Sequence, residues 1–367
     1  MVSKLYQSPC SDEIEISMFG SGFGESLVIH IGNNDWMVVD SCQMASTEEP
    51  AALCYLKEIG VSPDNVKIIV ASHWDDDHIM GMSEIVKKCS NAEFYISGAV
   101  ANKKFITIAF EELQANVKEG KKTGINEYYN AFFTLKERKK VPKLVSENCI
   151  LLKNKDGVSI SSLSPSSEVI GESIKSLIKD IEQNEYTTSI SAPIPNHTSI
   201  VLLIEFGKDG ILLGADMEED RKFKGWSTIL NNKLIDRNKS SVYKVAHHGS
   251  KTGDHPEIWE DLLQKTPISL IAPWKLPNIK TRYLPQADDI SRIRNLSSQV
   301  YISSPPGKER KKTYKKVYKN KKVSMALERV KAQNMRADFN MIRVRKNITN
   351  DTEVWRCEIF GDAMAVE

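Results

Sequence analysis

Residues 66–82 read VKIIVASHWDDDHIMGM. Val66 to Ala71 form an aliphatic run broken only by Lys67, the pattern of a strand covered on both faces. Immediately beyond it come His73, Asp75, Asp76, Asp77 and His78. Three adjacent aspartates repel one another, and a solvated loop would intersperse Lys, Gly or Ser among them. A bound cation removes the conflict. The competing reading is an acidic helix start, with Asp76 and Asp77 complementing the helix dipole.

Upstream, EIEISMF alternates Ile14, Ile16 and Met18, and SLVIHI and WMVVD are apolar runs joined by the turn signal Gly32-Asn33-Asn34-Asp35. The second run ends on Asp40. A helix is expected next, with Ser46 and Glu49 spaced as a capping box, Leu53, Leu56 and Ile59 at helical spacing, and Gly60 as its stop. Downstream, a helix resumes after Gly81. Residues 100–145 read as an inserted helical layer or lid. CILLK and VSISSLS follow around Asn154-Lys155-Asp156-Gly157, then a helix near 166–183.

SIVLLIEF and ILLGAD flank Lys208-Asp209-Gly210, a hairpin signal, and the second strand leads to Asp216. SVYKVA leads to His247-His248-Gly249-Ser250, ISLIAPW and QVYISS add strands, and NMIRVRK with EVWRCEIFG form a C-terminal hairpin.

Four apolar strands therefore end in metal-capable groups: Asp40, the His73–His78 box, Asp216, and His247 with His248. Of seven histidines, four fall in these clusters. Strand ends on one sheet edge lie near each other in space, so the groups can converge. A turn leaving a strand can direct His73 and Asp75 to one cation and Asp77 and His78 to a second, with the two oxygens of Asp216 as the bridge. Such ion pairs, about 3.5–4 Å apart, acidify a bridging water and clamp both oxygens of a displacement, which suits phosphate esters.

Composition is that of a globular protein, with 41% hydrophobic and 27% charged residues. No apolar run approaches the roughly 20 residues of a membrane span, and MVSKLYQSPCSDE lacks a signal peptide's apolar segment. The expectation is a soluble, cytoplasmic protein. Six scattered cysteines without a CxxC pair exclude a disulfide framework and a thiolate zinc site, and most are expected to be buried. The net charge of +2 hides an asymmetry: residues 308–322, KERKKTYKKVYKNKK, hold nine Lys/Arg against one Glu. Lys311, Lys312, Lys315 and Lys316 with Tyr314 and Tyr318 could contact phosphates and stack on bases; the alternative is a solvated loop.

The chain resembles the metallo-β-lactamase superfamily, most closely the soluble hydrolase domain of ComEC-type competence proteins. The resemblance rests on GSGFGESLVIHIG running to VVDS, on HWDDDH followed by IMG, on NHTSIVLLIEFGKDGILLGAD, and on VAHHGSKTG, in the family's order over residues 14–305. It implies an α/β fold, the αββα sandwich of two mixed sheets with helices outside and metals at one edge. Residues 1–305 would form the hydrolase domain, and 306–367 a basic segment and hairpin packing on it.

The resemblance also implies His73, Asp75, Asp77, His78, Asp216 and one of His247 or His248 as ligands of two divalent ions, with Asp77 and His78 catalytic. Asp40 would orient the box from behind, and the family's third histidine falls near Asn196 or His197. Asp75 stands where the commoner box has His, which moves preference from zinc toward manganese. Lys251 after HHGS could meet a substrate phosphate. The activity implied is phosphodiester hydrolysis, with DNA or RNA as substrate. Alternatives are a small phosphodiester or a carboxylic ester or amide under a lid at 100–145, and a non-catalytic metal-stabilised module docking to a protein through 100–145 or 308–322. No membrane partner is expected.

Overall fold

The computed structural model describes residues 7–20, 23–44, 47–100, 123–182, 195–219, 225–232, 237–275, 283–307, 340–350 and 352–366. The basic run 308–322 and residues 101–122 of the expected insertion lie outside them.

The elements in chain order are β1 (Glu13–Gly20), β2 (Glu25–Ile31), β3 (Trp36–Val39), α1 (Ala51–Glu58), β4 (Val66–Ala71), α2 (Asp76–Ile79), α3 (Met82–Lys88), β5 (Glu93–Ser97), α4 (Gly124–Glu137), β6 (Lys143–Val145), β7 (Ile150–Lys153), β8 (Ser159–Ser162) and α5 (Ser167–Glu182). There follow β9 (Leu202–Phe206), β10 (Asp209–Leu213), α6 (Trp226–Asn231), β11 (Ser240–Lys244), β12 (Leu263–Ile271), β13 (Trp274–Lys275), β14 (Tyr283–Leu284), α7 (Ala287–Leu296), β15 (Gln299–Ile302), β16 (Met341–Asn347), β17 (Arg356–Phe360) and β18 (Met364–Val366).

Two eight-stranded mixed sheets result, ordered β17-β16-β1-β2-β3-β4-β5-β6 and β18-β15-β12-β11-β10-β9-β8-β7. Strands β3 to β6 run parallel in the first, and β10, β11, β12 and β15 in the second. Parallel neighbours end on the same edge, where α/β proteins gather polar groups. The ends of β3 and β4 are thus adjacent, as are those of β10 and β11.

Three apolar layers hold this frame. Ile14, Ile16, Ile29, Met37 and Val70 of the first sheet pack with Ile204, Ile211, Val242 and Leu270 of the second. The outer face of the first sheet takes Tyr55 of α1, Ile85 of α3 and Tyr128 and Leu135 of α4. That of the second takes Trp226 and Ile229 of α6 and Ile293 of α7. Helices outside two facing sheets are the αββα arrangement expected.

Some local expectations are corrected. The first helix begins at Ala51 behind Pro50, with no side-chain cap. Glu49 meets the Cys54 thiol, and Ser46 of the expected capping box lies outside the described residues. The 100–145 segment is not wholly helical, because β6 pairs in parallel with β5. Its helix α4 packs as an outer layer: Glu127 accepts from Ser83 N–H at the start of α3 (3.0 Å), and the Arg138 guanidinium donates to the Val86 and Lys87 carbonyls at its end. All six cysteines are free, and half are buried rather than most: Cys42, Cys54 and Cys89. Among the described residues no helix is long and apolar enough to cross a membrane.

Candidate metal centre

The site forms where β3, β4, β10 and β11 end and β2 begins. Sharp backbone turns aim its side chains: Asp40 has φ 58°, Ala215 46°, His247 46° and His248 53°. Left-handed conformations at non-glycine residues cost on the order of 1–3 kcal/mol each and cluster at functional sites. Gly24 meets a different demand. A Cβ there would lie 2.9 Å from Cys42 Cβ and 3.1 Å from the Asp77 carbonyl, so only glycine lets the β1–β2 loop close on the aspartate turn.

The three aspartates divide their duties. Asp76 turns away from the cluster and accepts the Gly124 N–H at 2.6 Å, tying down the start of α4. Asp77 turns inward, with Oδ2 3.1 Å from His248 Nε2 and 3.7 Å from His78 Nε2. Asp75, partly exposed, has Oδ2 3.8 Å from His73 Nε2. Asp216 places Oδ1 3.3 Å from His78 Nε2 and Oδ2 3.1 Å from His248 Nε2. The His73 and His78 rings lie 4.2 Å apart, and those of His78 and His248 5.5 Å.

Each imidazole is pinned through Nδ1. Asp40 accepts from Ser72 N–H (2.7 Å) and the Ser72 hydroxyl (2.7 Å), and its Oδ2 also accepts from His78 Nδ1–H (2.8 Å). Since that hydroxyl hydrogen is committed to Asp40, Ser72 Oγ receives the Nδ1–H of His73 at 3.0 Å. His248 Nδ1–H donates to the Ala272 carbonyl at 3.0 Å. His78 and His248 thus turn Nε2 toward Asp216 and Asp77, and His73 turns Nε2 toward Asp75, the orientation that outer partners impose on metal-binding histidines. His73 Nε2, His78 Nε2 and Asp216 Oδ1 are buried without a hydrogen-bond partner. Glu25, His78, Asp216 and His248 can each offer one ligand atom within 4.8 Å of the others.

The electrostatics fit a cation. Burial lowers the His73 pKa to about 4, helped by the neighbouring His78, and keeps that ring neutral. Burial also opposes charge on His78 and His248, but the surrounding carboxylates, Asp216 foremost, prevail and raise both, His248 to about 10. For Asp216, burial favours the neutral acid, yet His248 and His78 hold its carboxyl well below the usual range. Carboxylates that draw protons onto imidazoles will also draw a metal ion, which displaces those protons.

His247 is not in a strand and stands outside the cluster. Its Nδ1 is 3.0 Å from Glu218 Oε1 and 2.9 Å from Thr252 Oγ1. Asn196 donates Nδ2–H to Glu218 Oε2 at 2.8 Å. Burial works against charge on Glu218, but hydrogen bonds, led by His247, lower its pKa to about 2. Asn196 and His247 line a cavity of about 530 Å³ with Asp75, Asp77, Asp216 and His248, walled by Phe23, Trp74, Trp274 and Leu284. Lys251 is exposed and does not line it. Lys311, Lys312, Lys315 and Lys316 lie outside the described residues.

The sequence reading passed over Glu25, Lys244 and Glu218. Lys244 had a visible signal, a lone cation in SVYKVA. Glu25 stands at the head of an aliphatic strand, and Glu218 follows Asp216 by two positions.

The sequence profile of the Metallo-beta-lactamase superfamily matches residues 20–105, the stretch that carries Asp40 and HWDDDH. Among solved structures, the metallo-beta-lactamase fold protein YhfI from Bacillus subtilis is 13% identical, with a TM-score of 0.40 over 79% of this chain and 96% of that one. The hydrolase AbOPH in the beta lactamase superfamily is 14% identical, with a TM-score of 0.36 over 57% and 73%. The MIM-2 metallo-beta-lactamase is 13% identical, with a TM-score of 0.35 over 70% and 80%. No curated protein matches in sequence. The profile match covers the box of the first sheet, while Asp216 and His248 come from the second.

Proposed function

We propose that this protein is a metal-dependent hydrolase of phosphodiesters, acting on DNA or RNA. The observation that carries the reading is the set of three imidazoles pinned through Nδ1, with His73 Nε2, His78 Nε2 and Asp216 Oδ1 buried and unpartnered beside Asp77. Each buried unsatisfied polar atom costs about 1–3 kcal/mol, and a cation satisfies them together.

His73, Asp75, Asp77, His78, Asp216 and His248 would hold two divalent ions, Zn or Mn, with Asp40 fixing His78 from behind. Oxygen donors at Asp75, Asp77 and Asp216 favour the harder manganese. When bound, such ions supply Lewis acidity toward an ester oxygen and acidify a water. Asp77 orients the attacking water and takes up its proton. His247, with Nδ1 engaged by Glu218 and Thr252 and Nε2 3.5 Å from the Asn196 amide nitrogen, lines the cavity beside the cluster.

Support for a nucleic-acid substrate is the resemblance to ComEC-type domains and the basic run 308–322, whose lysines would release counterions on binding. A second reading, a small phosphodiester, is favoured by the cavity of about 530 Å³ with aromatic walls, a size suited to a nucleotide. The test is metal analysis, followed by assays of plasmid DNA, RNA and bis(p-nitrophenyl) phosphate with Mn²⁺ or Zn²⁺. The wild type should cleave nucleic acid, and the Asp77→Ala, His78→Ala double variant should not. Cleavage of the small diester alone moves the proposal to the second reading. Metal binding with no ester cleaved ends the hydrolase reading in favour of a non-catalytic module.

A further inference from the structure

Lys244 and Glu25 belong to none of the proposed ligand pairs, yet both side chains are about 1% exposed. A buried ammonium among carboxylates requires a fixed geometry, because desolvating it costs several kcal/mol unless its partners are in place. Its Nζ lies 2.6 Å from Glu25 Oε1, donates to the Ala215 carbonyl at 2.9 Å, and stands 3.8 Å from Asp216 Oδ1.

The contact with Ala215 is the informative one. Lys244 ends β11 opposite Leu213 of β10, and its own carbonyl accepts the Gly214 N–H at 3.0 Å. Main chain and side chain of one residue thereby hold Gly214 and Ala215 of the turn 214–216, whose middle residue has φ 46°. The Ala215 carbonyl also accepts the His247 N–H at 3.0 Å, so the ammonium is coupled to the HHGS turn as well. Glu25 closes the arrangement from behind, 3.7 Å from His78 Nδ1 and 3.6 Å from His248 Nδ1. Because its Oε1 pairs with the ammonium, Glu25 serves the site by partnering Lys244 and the two rings.

We infer that Lys244, neutralised by Glu25, is a positioning residue that holds the strained 214–216 turn so that both oxygens of Asp216 face His78 and His248, and thereby sets the affinity for divalent metal. The inference rests on the metal-dependent reading of the site.

The experiment compares wild type with a Lys244→Met, Glu25→Gln double variant, which removes the two charges together and leaves neither unpaired. Folding is checked by circular dichroism. Zn²⁺ and Mn²⁺ affinities are measured by calorimetry, and Co²⁺ is used as a spectroscopic probe. The folded variant should bind about tenfold to a hundredfold more weakly, the range for loss of an outer-shell partner, with a changed Co²⁺ visible spectrum. A folded variant with wild-type affinity and spectrum overturns the inference and leaves the pair a structural one. Should the variant not fold, ¹⁵N-lysine-labelled wild type decides: the Lys244 ammonium resonance should move on adding Zn²⁺, and a resonance that stays in place overturns the inference. Wild type that binds no divalent ion overturns the metal reading, and the inference with it; because wild type is measured alone, the two failures are distinguishable.

Discussion

His30 and His78 show how the partners of a ring determine its chemistry. Both are buried at the first sheet, but His78 keeps an unpartnered Nε2 whereas His30 is satisfied at both nitrogens. Nδ1–H of His30 donates to the Glu13 carbonyl at 2.7 Å and Nε2 accepts the Asn34 N–H at 3.0 Å, so a second proton would break the latter bond. Burial is the main cause that lowers its pKa to about 4, against the pull of Glu15. In the unfolded chain the ring titrates near 6.5. Between those values the unfolded chain takes up a proton that the folded one refuses. Stability present above pH 6.5 is therefore lost as the pH falls toward 4, by up to ~3 kcal/mol. Urea midpoints at pH 7 and pH 5 should fall further for wild type than for His30→Gln, which keeps a donor toward Glu13 and does not titrate. Equal falls in the two proteins would remove His30 as the cause.

Element by element, the legible parts were those whose cause is local. Val66–Ala71 reads as a strand because every residue but Lys67 is apolar, and the β9–β10 hairpin is marked by its glycines, although the two-residue turn is Gly207-Lys208, with Phe206 paired to Asp209, and Asp209-Gly210 open β10. Strand β1 was legible as a strand but not in its surroundings. Its alternation suggests a solvated polar face, yet Glu15 and Ser17 are fully buried. Glu15 accepts from Tyr55 Oη (2.6 Å) and Arg345 Nε (2.6 Å), partners 40 and 330 positions away that no local pattern reveals. The docking of α4 on the metal-site loop was hidden for the same reason. A Cβ on Gly124 would collide with the Trp74 carbonyl and lie 2.6 Å from Ile79 Cγ2. Gly124→Ala should thus push helix and loop apart, destabilising the protein by about 2 kcal/mol as overpacking does and weakening Zn²⁺ binding, since the displaced loop carries Asp75 and Asp77. Urea unfolding of metal-free protein and calorimetry of Zn²⁺ binding measure the two effects; wild-type values for both would show that the helix start yields freely.

At the scale of the whole molecule, the candidate ligands are divided between the sheets. Asp77 and His78 follow β4 of the first, and Asp216 and His248 follow β10 and β11 of the second. Single motifs could not establish that convergence, because it depends on two parallel runs ending at one edge. The division has a thermodynamic consequence. Glu25, Asp40, Asp75, Asp77 and Asp216 gather five carboxylates against the one ammonium of Lys244, a net −4 with neutral imidazoles that two divalent ions would balance. Ions bound there also join the two sheets, which must part when the chain unfolds, so the unfolded chain retains no comparable site. Binding to the folded state alone stabilises by RT ln(1 + [L]/Kd), about 2.7 kcal/mol at a hundredfold excess over Kd. For a chain of this size that corresponds to a rise in Tm of roughly 3–4 °C. Differential scanning calorimetry of protein stripped with EDTA and then supplied with Mn²⁺ or Zn²⁺ should show the rise, and Asp216→Ala should abolish it because that carboxylate would be the one shared between the proposed ligand sets. A Tm indifferent to both ions in the wild type would mean that no cation spans the sheets.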